Sequence, residues 1–451
     1  MHFGKYNFKF GKNNAIKKYY LDRIIALKGN IYIELLGSAT MYVTREIESD
    51  IRKWIHEREI ISIIGPRQSG KTTLLYHLME ELIAEDTFDR AHVFYATFDD
   101  EIERQRFDEN PIDYIEGRLQ GNDHHIFLFD EVQYLENAGP RLKQLFDAYH
   151  QTVKFIITGS SSLDIRDIAS SLVGRAVFFH LHPFSFPEFL RAKSERLYTY
   201  HQKHMFNFDT DYQIENLAYL DELGPMLREY MTYGGFPRIV LMNDVEKKEF
   251  LLKELVTLYI EKDILKQYGQ PFRRDTLRIL QYIAFHCGKL VDFAGVSSHL
   301  DINIKRINNV ISILEDTFII KLVRPYFKNL STELRKRPKV FFLDNGIRNV
   351  LAEDFKFSEE KGFLFENHVF TQLIRKRGSL KYWRTTAKAE VDFIKDGIPI
   401  EVKVTPKVTR ALRSFVTTYS PPLSVIVNSK TLRREEINGT ILYSIPASLL
   451  P

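Results

Sequence analysis

The stretch that most constrains this chain runs from Ile60 to Met79. The apolar run Ile60 Ile61 Ser62 Ile63 Ile64 enters GPRQSGKT, and the helical pattern Thr73 Leu74 Leu75 Tyr76 His77 Leu78 Met79 leaves it. A buried strand, a glycine-bounded loop and a helix N-terminus in that order form a phosphate-binding loop. Its candidate binding set is Gly65, Pro66, Arg67, Gln68, Ser69, Gly70, Lys71, Thr72 and Thr73. Gly65 and Gly70 let the backbone curl, so that successive N–H groups point inward at an anion where the helix dipole is positive. Lys71 reaches the β- and γ-phosphates, and Thr72 offers its hydroxyl to Mg²⁺. The chain has no Asn-Lys-x-Asp guanine reader, so ATP is expected rather than GTP.

At 451 residues the chain is too long for one core and suggests about three domains of ~150 residues. The single Cys287 excludes a disulfide framework and points to a reducing compartment. No run approaches ~18 consecutive apolar residues, so no membrane span is expected. The opening MHFGKYNFKF lacks the apolar segment of a secretory signal, so a cytoplasmic location is expected. Residues 1–40 hold seven Lys or Arg against two acidic residues, which leaves 56 basic and 57 acidic groups for the rest. The cations alternate with aromatics at Lys5, Tyr6, Phe8, Lys9 and Phe10 and again at Lys17, Lys18, Tyr19 and Tyr20. That pattern suits phosphate contact with base stacking. It also suits a disordered tail, or an upstream start with Met41 as the first true residue.

Thr44 to Ile55 spaces its apolar residues for a lead-in helix. Apolar strand candidates then alternate with helices at 92–98, 126–129, 153–157 and 176–181, the pattern of a parallel sheet covered on both faces. The strand Ile126 Phe127 Leu128 Phe129 runs into Asp130 and Glu131. An acidic pair at the carboxyl end of a buried strand is what Mg·ATP hydrolysis requires, with Asp130 on the Mg²⁺ shell and Glu131 polarising the attacking water. Thr158 Gly159 Ser160 Ser161 puts hydroxyls where a γ-phosphate could be sensed, although the same residues also read as an ordinary turn.

GPRQSGKTTLL, FLFDEVQ, FIITGSSS, SLVGR and HPFSFPEFL occur in this order. Together they resemble the prokaryotic P-loop ATPases of the AAA+/STAND-like type that carry a C-terminal domain of unknown function. The resemblance covers roughly residues 41–410. It implies a sensor strand between the strands bearing the loop and Asp130. It also implies that Arg175 of SLVGR faces a γ-phosphate in its own or a neighbouring subunit, or else is a surface arginine. A helical lid over 188–270 is expected, with Tyr233 Gly234 Gly235 Phe236 Pro237 either as a rigid, close-approaching backbone against an adenine or as an ordinary turn.

Residues 271–345 read as three helices and a β-hairpin, a winged helix. Lys305, Arg306, Asn308 and Asn309 lie on its third helix and Lys328, Arg335, Lys336 and Arg337 at the hairpin tip. They suit a duplex DNA backbone, or a homo-oligomer or protein partner docked through the module.

In residues 346–451, Glu366 falls on the apolar stripe of Phe363, Phe370 and Leu373, a costly place for a carboxylate without compensation. Period two puts Glu390 with Asp392 on one strand face, and Glu401 with Lys403 on one face of the next. This set resembles the PD-(D/E)xK nuclease constellation. The resemblance implies Mg²⁺ or Mn²⁺ on Asp392 and Glu401, with Glu366 as an outer or third ligand and Lys403 stabilising developing charge. The expected chain is therefore α/β: a parallel-sheet ATPase core over 41–187, helical lid, winged helix and restriction-endonuclease-like domain, preceded by the basic arm. It is either a DNA-processing ATPase with nuclease activity or a nucleotide-gated regulatory switch whose last two domains bind a protein partner and cut nothing.

Overall fold

Runs of β-branched and aromatic residues without polar alternation build the centre of the chain. The computed structural model describes residues 24–27, 30–35, 38–85, 88–121, 123–160, 168–214, 219–261, 269, 271–326, 336–358 and 362–451. Strands β1 (Ile24–Leu27), β2 (Asn30–Leu35) and β3 (Ser38–Met41) form an antiparallel meander within the basic arm. The cation and aromatic alternation of residues 5–20 lies outside the described residues. The lead-in helix is shorter than expected. Only α1 (Glu48–Arg52) is helical, because the Glu48 carboxylate turns back to accept the Arg45 N–H and the residues after Lys53 become turns.

Strands β4 (Ile60–Ile64), β5 (Val93–Thr97), β6 (His125–Asp130), β7 (Val153–Gly159) and β8 (Ala176–His180) form a parallel sheet in the order β5-β6-β7-β4-β8. The sensor strand β7 lies between the loop strand β4 and the Asp130 strand β6, as the resemblance implied. Alternation along each strand feeds two faces. Ile61, Ile63, Ile126 and Leu128 pack with Leu74, Leu75 and Leu78 of α2 (Lys71–Ala84). Ile60, Phe127, Phe129 and Phe155 pack on the other face with Leu142 and Leu145 of α5 (Ala138–Tyr149), beyond α3 (Glu101–Glu109) and α4 (Pro111–Glu116). Each such buried side chain contributes roughly 1.5–3 kcal/mol, so both faces must stay covered.

Among the described residues there follow α6 (Phe186–Lys193), α7 (Glu195–His204), α8 (Leu220–Tyr233), α9 (Pro237–Val240) and α10 (Val245–Tyr259). Next come α11 (Pro271–Phe285), α12 (Phe293–Leu300), α13 (Ile304–Asp316) and the antiparallel pair β9 (Ile320–Val323) and β10 (Lys339–Phe342). Lys305, Asn308 and Asn309 of α13 are exposed, whereas Arg306 folds back onto Asp275 at 2.9 Å and over the Phe272 ring. Lys328 and Arg335 lie outside the described residues. All four residues of β10 are buried, so this strand faces protein.

After α14 (Asn345–Leu351) and α15 (Gly362–Leu373), a mixed sheet closes the chain. Its strands are β11 (Leu380–Arg384), β12 (Glu390–Lys395), β13 (Ile398–Val402), β14 (Leu423–Asn428), β15 (Arg433–Ile437) and β16 (Thr440–Pro446), ordered β11-β12-β13-β14-β16-β15. Helix α16 (Arg410–Tyr419) packs Leu412 and Phe415 against it. One apolar cluster runs from Phe184 through Leu227, Ile307, Val340 and Phe370 to Leu450, joining the helical region to this sheet. Among the described residues no helix is long and apolar enough to cross a membrane.

His368 of α15 sits in that shared core, its ring edge-on to Phe186 and Tyr230, with Nε2 3.3 Å from the Ala447 carbonyl oxygen and Nδ1 without a hydrogen-bond partner among the described residues. Burial pushes its pKa down to about 4 from an ordinary 6.5. The unfolded chain therefore takes up this proton first as pH falls. Stability from a neutral His368 is complete above pH 6.5 and is lost as pH falls towards 4, by up to ~3 kcal/mol. The denaturant midpoint of a His368→Leu variant is expected to fall less than that of the parent chain across this window. Equal losses would contradict the assignment.

Candidate functional site

Chemistry gathers first at the carboxyl ends of β4, β6 and β7. A Cβ on Gly65 would collide with the Leu181 carbonyl oxygen, so no other residue fits that turn. Gly70 caps α2 at φ 96°, in the left-handed region that favours glycine. The buried Lys71 ammonium donates to the carbonyls of Gly65 at 3.1 Å and Pro66 at 2.9 Å. Tyr259 of α10 donates to the Arg67 carbonyl at 3.0 Å, which ties the loop to the helical region.

Asp130 is buried, and three hydroxyls meet it. Thr72 donates to its Oδ2 at 2.7 Å, Tyr95 donates to the same oxygen at 3.2 Å, and Thr158 donates to Oδ1. Burial raises its pKa, and the Thr158 and Thr72 bonds oppose the rise. Glu131 follows at φ 58°. Its N–H donates to Thr158 Oγ1 at 3.1 Å, and its carboxylate accepts from Ser160 Oγ at 3.1 Å and from the Gln133 side-chain amide. Gln133 also donates to Ser160 Oγ at 2.9 Å. Gln133 has no role expected from sequence beyond ending the FLFDEVQ motif.

A cavity of about 490 Å³ opens beside the loop. Gln68, Gly70, Lys71, Thr72, Thr73 and Glu131 line one side; Tyr42, Val43, Phe184, Pro237, Leu241 and Met242 form mostly apolar walls. Arg45 and Arg238, neither singled out in the sequence, add cations. The size and mixed lining are those of a small-molecule site.

Pro237 lines this cavity, but Gly234 and Gly235 serve another purpose than expected. A Cβ on Gly234, at φ 77°, would strike the Asp344 carboxylate, and one on Gly235 would strike the Phe184 carbonyl. Their close approach is thus to protein. Gly235 N–H donates to Asp344 Oδ2 at 2.7 Å and Gly235 O accepts from Phe184 N–H at 2.7 Å. Arg175 is likewise not in its own cavity. It precedes β8 at the end of the sheet opposite the loop, where its carbonyl accepts from the Ile60 N–H that begins β4. Its guanidinium forks onto Asp147 near the surface.

The second gathering lies between α15, β12, β13 and β10. Glu366, Glu390 and Asp392 surround Lys339 Nζ at 2.8, 2.7 and 3.6 Å, and Lys403 lies 3.4 Å from Asp392 and 3.0 Å from Glu401. Burial alone would lower the Lys339 pKa, but Glu366, Asp392 and Glu390 outweigh it and hold the ammonium above the ordinary lysine range. Glu366 and Glu401 are raised by burial. The expected metal ligands Glu366, Asp392 and Glu401 do not form a compact trio. Among the described residues, the trio with ligand atoms within 4.8 Å of one another is Glu48, His77 and Glu81. Arg52 already binds across it, at 3.1 Å from Glu48 and 2.6 Å from Glu81.

Residues 57–190 match the family model described as an AAA domain, and residues 224–358 and 361–449 match models of two domains of unknown function. An uncharacterized protein of Mycobacterium tuberculosis is 26% identical over 392 residues, covering 84% of this chain and 78% of its own. One from Methanocaldococcus jannaschii is 27% identical over 364 residues, covering 77% and 74%. The solved structure of C. elegans PCH-2 is 19% identical, covering 47% of this chain, with a TM-score of 0.28. This chain spans 57% of PCH-2, and at that score the overlap carries no argument. Residues 57–190 are an AAA-type ATPase domain on a five-stranded parallel sheet.

One buried ion pair fixes the cavity wall. The Arg45 guanidinium bonds Glu188 at 3.0 and 3.2 Å, the Ser69 carbonyl at 2.9 Å and the His182 carbonyl at 2.7 Å, and lies over the Phe184 ring. Glu188 also closes a capping box with Ser185 at the start of α6. Burial would raise the Glu188 carboxyl, but Arg45 outweighs it and holds it below the ordinary range. Arg45→Met leaves this carboxylate buried and unpaired, and a loss of ~3–5 kcal/mol in denaturant unfolding is expected. Arg45→Met with Glu188→Leu should recover part of it; a single variant as stable as the parent would contradict the role.

Proposed function

We propose that the chain binds ATP in the cavity beside residues 65–73 and hydrolyses it by in-line attack of water. The observation that carries this reading is the 2.7 Å contact of Thr72 Oγ1 with Asp130 Oδ2, with Glu131 next in the chain. That oxygen pair suits a divalent ion. Mg²⁺ held by Thr72 and Asp130 would supply neutralisation of phosphate charge. Lys71, the loop amides and the N-terminus of α2 bind the phosphates, and the apolar walls at Tyr42, Phe184 and Pro237 take the base. Glu131 orients the attacking water and accepts its proton once its carboxylate leaves Gln133 and Ser160, while Thr158 holds Asp130 and the Glu131 backbone in register. Arg175, remote from its own loop, serves the cavity of a neighbouring copy in a homo-oligomer. The single cysteine, buried at Cys287, supports a cytoplasmic protein.

For the remainder we favour a nucleotide-gated switch over an active nuclease, because Lys339 fills the acidic cluster. Three helices and an antiparallel pair support a winged helix, and Glu366 with the β12 and β13 acids supports a nuclease-like domain. The exposed Lys305, Asn308 and Asn309 suit contact with duplex DNA.

Lys71→Ala is expected to lower ATP turnover by at least ~100-fold. Glu131→Gln should retain ATP binding but lower turnover ~10²–10⁴-fold. Normal turnover in either variant would overturn the proposal. Lys305→Glu is expected to weaken duplex binding and to flatten its salt dependence by about one unit of slope. Unchanged DNA affinity and salt slope would redirect α13 to a protein partner.

A further inference from the structure

A divalent ion sits ~2.0–2.6 Å from its oxygen ligands. In the acidic cluster the oxygens close instead on an ammonium, with Glu366 Oε1 and Glu390 Oε1 at 2.8 and 2.7 Å from Lys339 Nζ and Asp392 Oδ1 at 3.6 Å. The other Asp392 oxygen accepts the Val402 N–H at 2.8 Å and faces Lys403 at 3.4 Å, and Glu401 Oε1 faces Lys403 at 3.0 Å. Lys339 is 2% exposed, so its ammonium is held out of bulk water while β10 stays in place, although the acids around it are partly open to solvent. A metal ion added beside the two ammonium groups would meet like charge across a few ångströms of low dielectric. As arranged, the donor set does not fit a divalent ion.

Lys339 comes from outside the C-terminal sheet, and the strand that carries it is firmly docked. Phe341 stacks on Phe370 at 4.8 Å, and Asn367 bonds both the N–H and the carbonyl of Phe342 at 2.9 and 3.1 Å. Tyr382 N–H of β11 donates to the Arg324 carbonyl just after β9 at 3.1 Å. Gly288, at φ 78°, lets the loop after α11 close over Glu366, since a Cβ there would stand 2.9 Å from Glu366 Oε2. A cation delivered on a docked strand has a high effective concentration and competes strongly with a free ion.

We propose that Lys339 is a tethered surrogate for the divalent cation, neutralising the acidic cluster and closing it to metal while β10 is docked. This rests on the nuclease-like reading of the C-terminal domain for its ligand class, and not on ATP hydrolysis. If the lysine merely staples two parts of the chain, the carboxylates left after its removal do not converge on one ion. A surrogate leaves a vacated cation position.

The test is Mn²⁺ binding to the nucleotide-free full chain, read by electron paramagnetic resonance. The parent chain is expected to show no Asp392-dependent site. Lys339→Met should gain one equivalent, bound at least ~100-fold tighter than to the parent, and lose it when Asp392→Asn is added. A folded Lys339→Met chain that gains no Mn²⁺, or a parent chain that already binds it through Asp392, would overturn the proposal. If Lys339→Met fails to fold without metal, Lys339→Met with Glu390→Gln carries less uncompensated charge and is measured in its place. If neither folds, refolding in millimolar Mn²⁺ decides: recovery supports the surrogate role and failure refutes it. ATP affinity measured on the same samples reports separately on the nucleotide cavity. Mn²⁺ gained without DNA cleavage would remove only the nuclease reading.

Discussion

A carboxylate taken out of water must be met by donors or cations, and the architecture depends on four places where this happens. Three hydroxyls meet Asp130 beside the phosphate-binding loop, and Arg45 meets Glu188 behind the cavity wall. Backbone amides of Gly235 and Ile347 meet Asp344, and Lys339 meets Glu366, Glu390 and Asp392. Each set joins separate stretches of chain, with only the Ile347 amide local to its carboxylate. Satisfying the charge therefore fixes tertiary structure, and losing one partner leaves a buried charge rather than a mere gap.

These sets are also joined to one another. Strand β10 begins at Lys339, and Asp344 follows two residues after its end, bonded to the glycine loop that precedes Pro237 of the cavity wall. Burial lifts the Asp344 carboxyl to about 6, against the pull of the Gly235, Ile347 and Gly346 amides. Helix α15 carries Glu366 near its start, while Gln372 accepts the Phe186 N–H at 3.1 Å near its end. Just beyond, Arg375 donates to the carbonyls of Pro183 and Phe184 at 2.6 and 3.2 Å. Phe184 itself lines the cavity. Two short chains of packed and hydrogen-bonded residues thus run between the cavity and the acidic cluster.

Local signals were legible wherever one stretch of sequence contains its own explanation. The strands at Ile60, Ile126 and Val153, the loop glycines and the Asp130–Glu131 step all follow from continuous apolar runs and turn chemistry. The period-two faces of Glu390, Asp392, Glu401 and Lys403 followed in the same way. The partners of those residues did not. Arg45 and Glu188 lie 143 residues apart, and nothing local marks either as buried. Lys339 reads as one more cation near a hairpin tip until the hairpin is seen docked on α15 and β11. Gly234 and Gly235 read as a place of close approach from sequence, but whether a base or a carboxylate stands opposite is a tertiary fact. Arg175 shows the same limit: the motif is local, and its distance from the loop depends on strand direction.

We propose that the amides following Ile64, with Lys71 and the Thr72–Asp130 pair, enclose a triphosphate. Calorimetric titration of the nucleotide-free parent chain with ATP in the presence of Mg²⁺ tests this most directly. Saturable binding of one ATP per chain, displaced by ADP and not by nucleosides lacking phosphate, is the expected result. Absence of saturable binding to folded protein would rule out a triphosphate site at this loop.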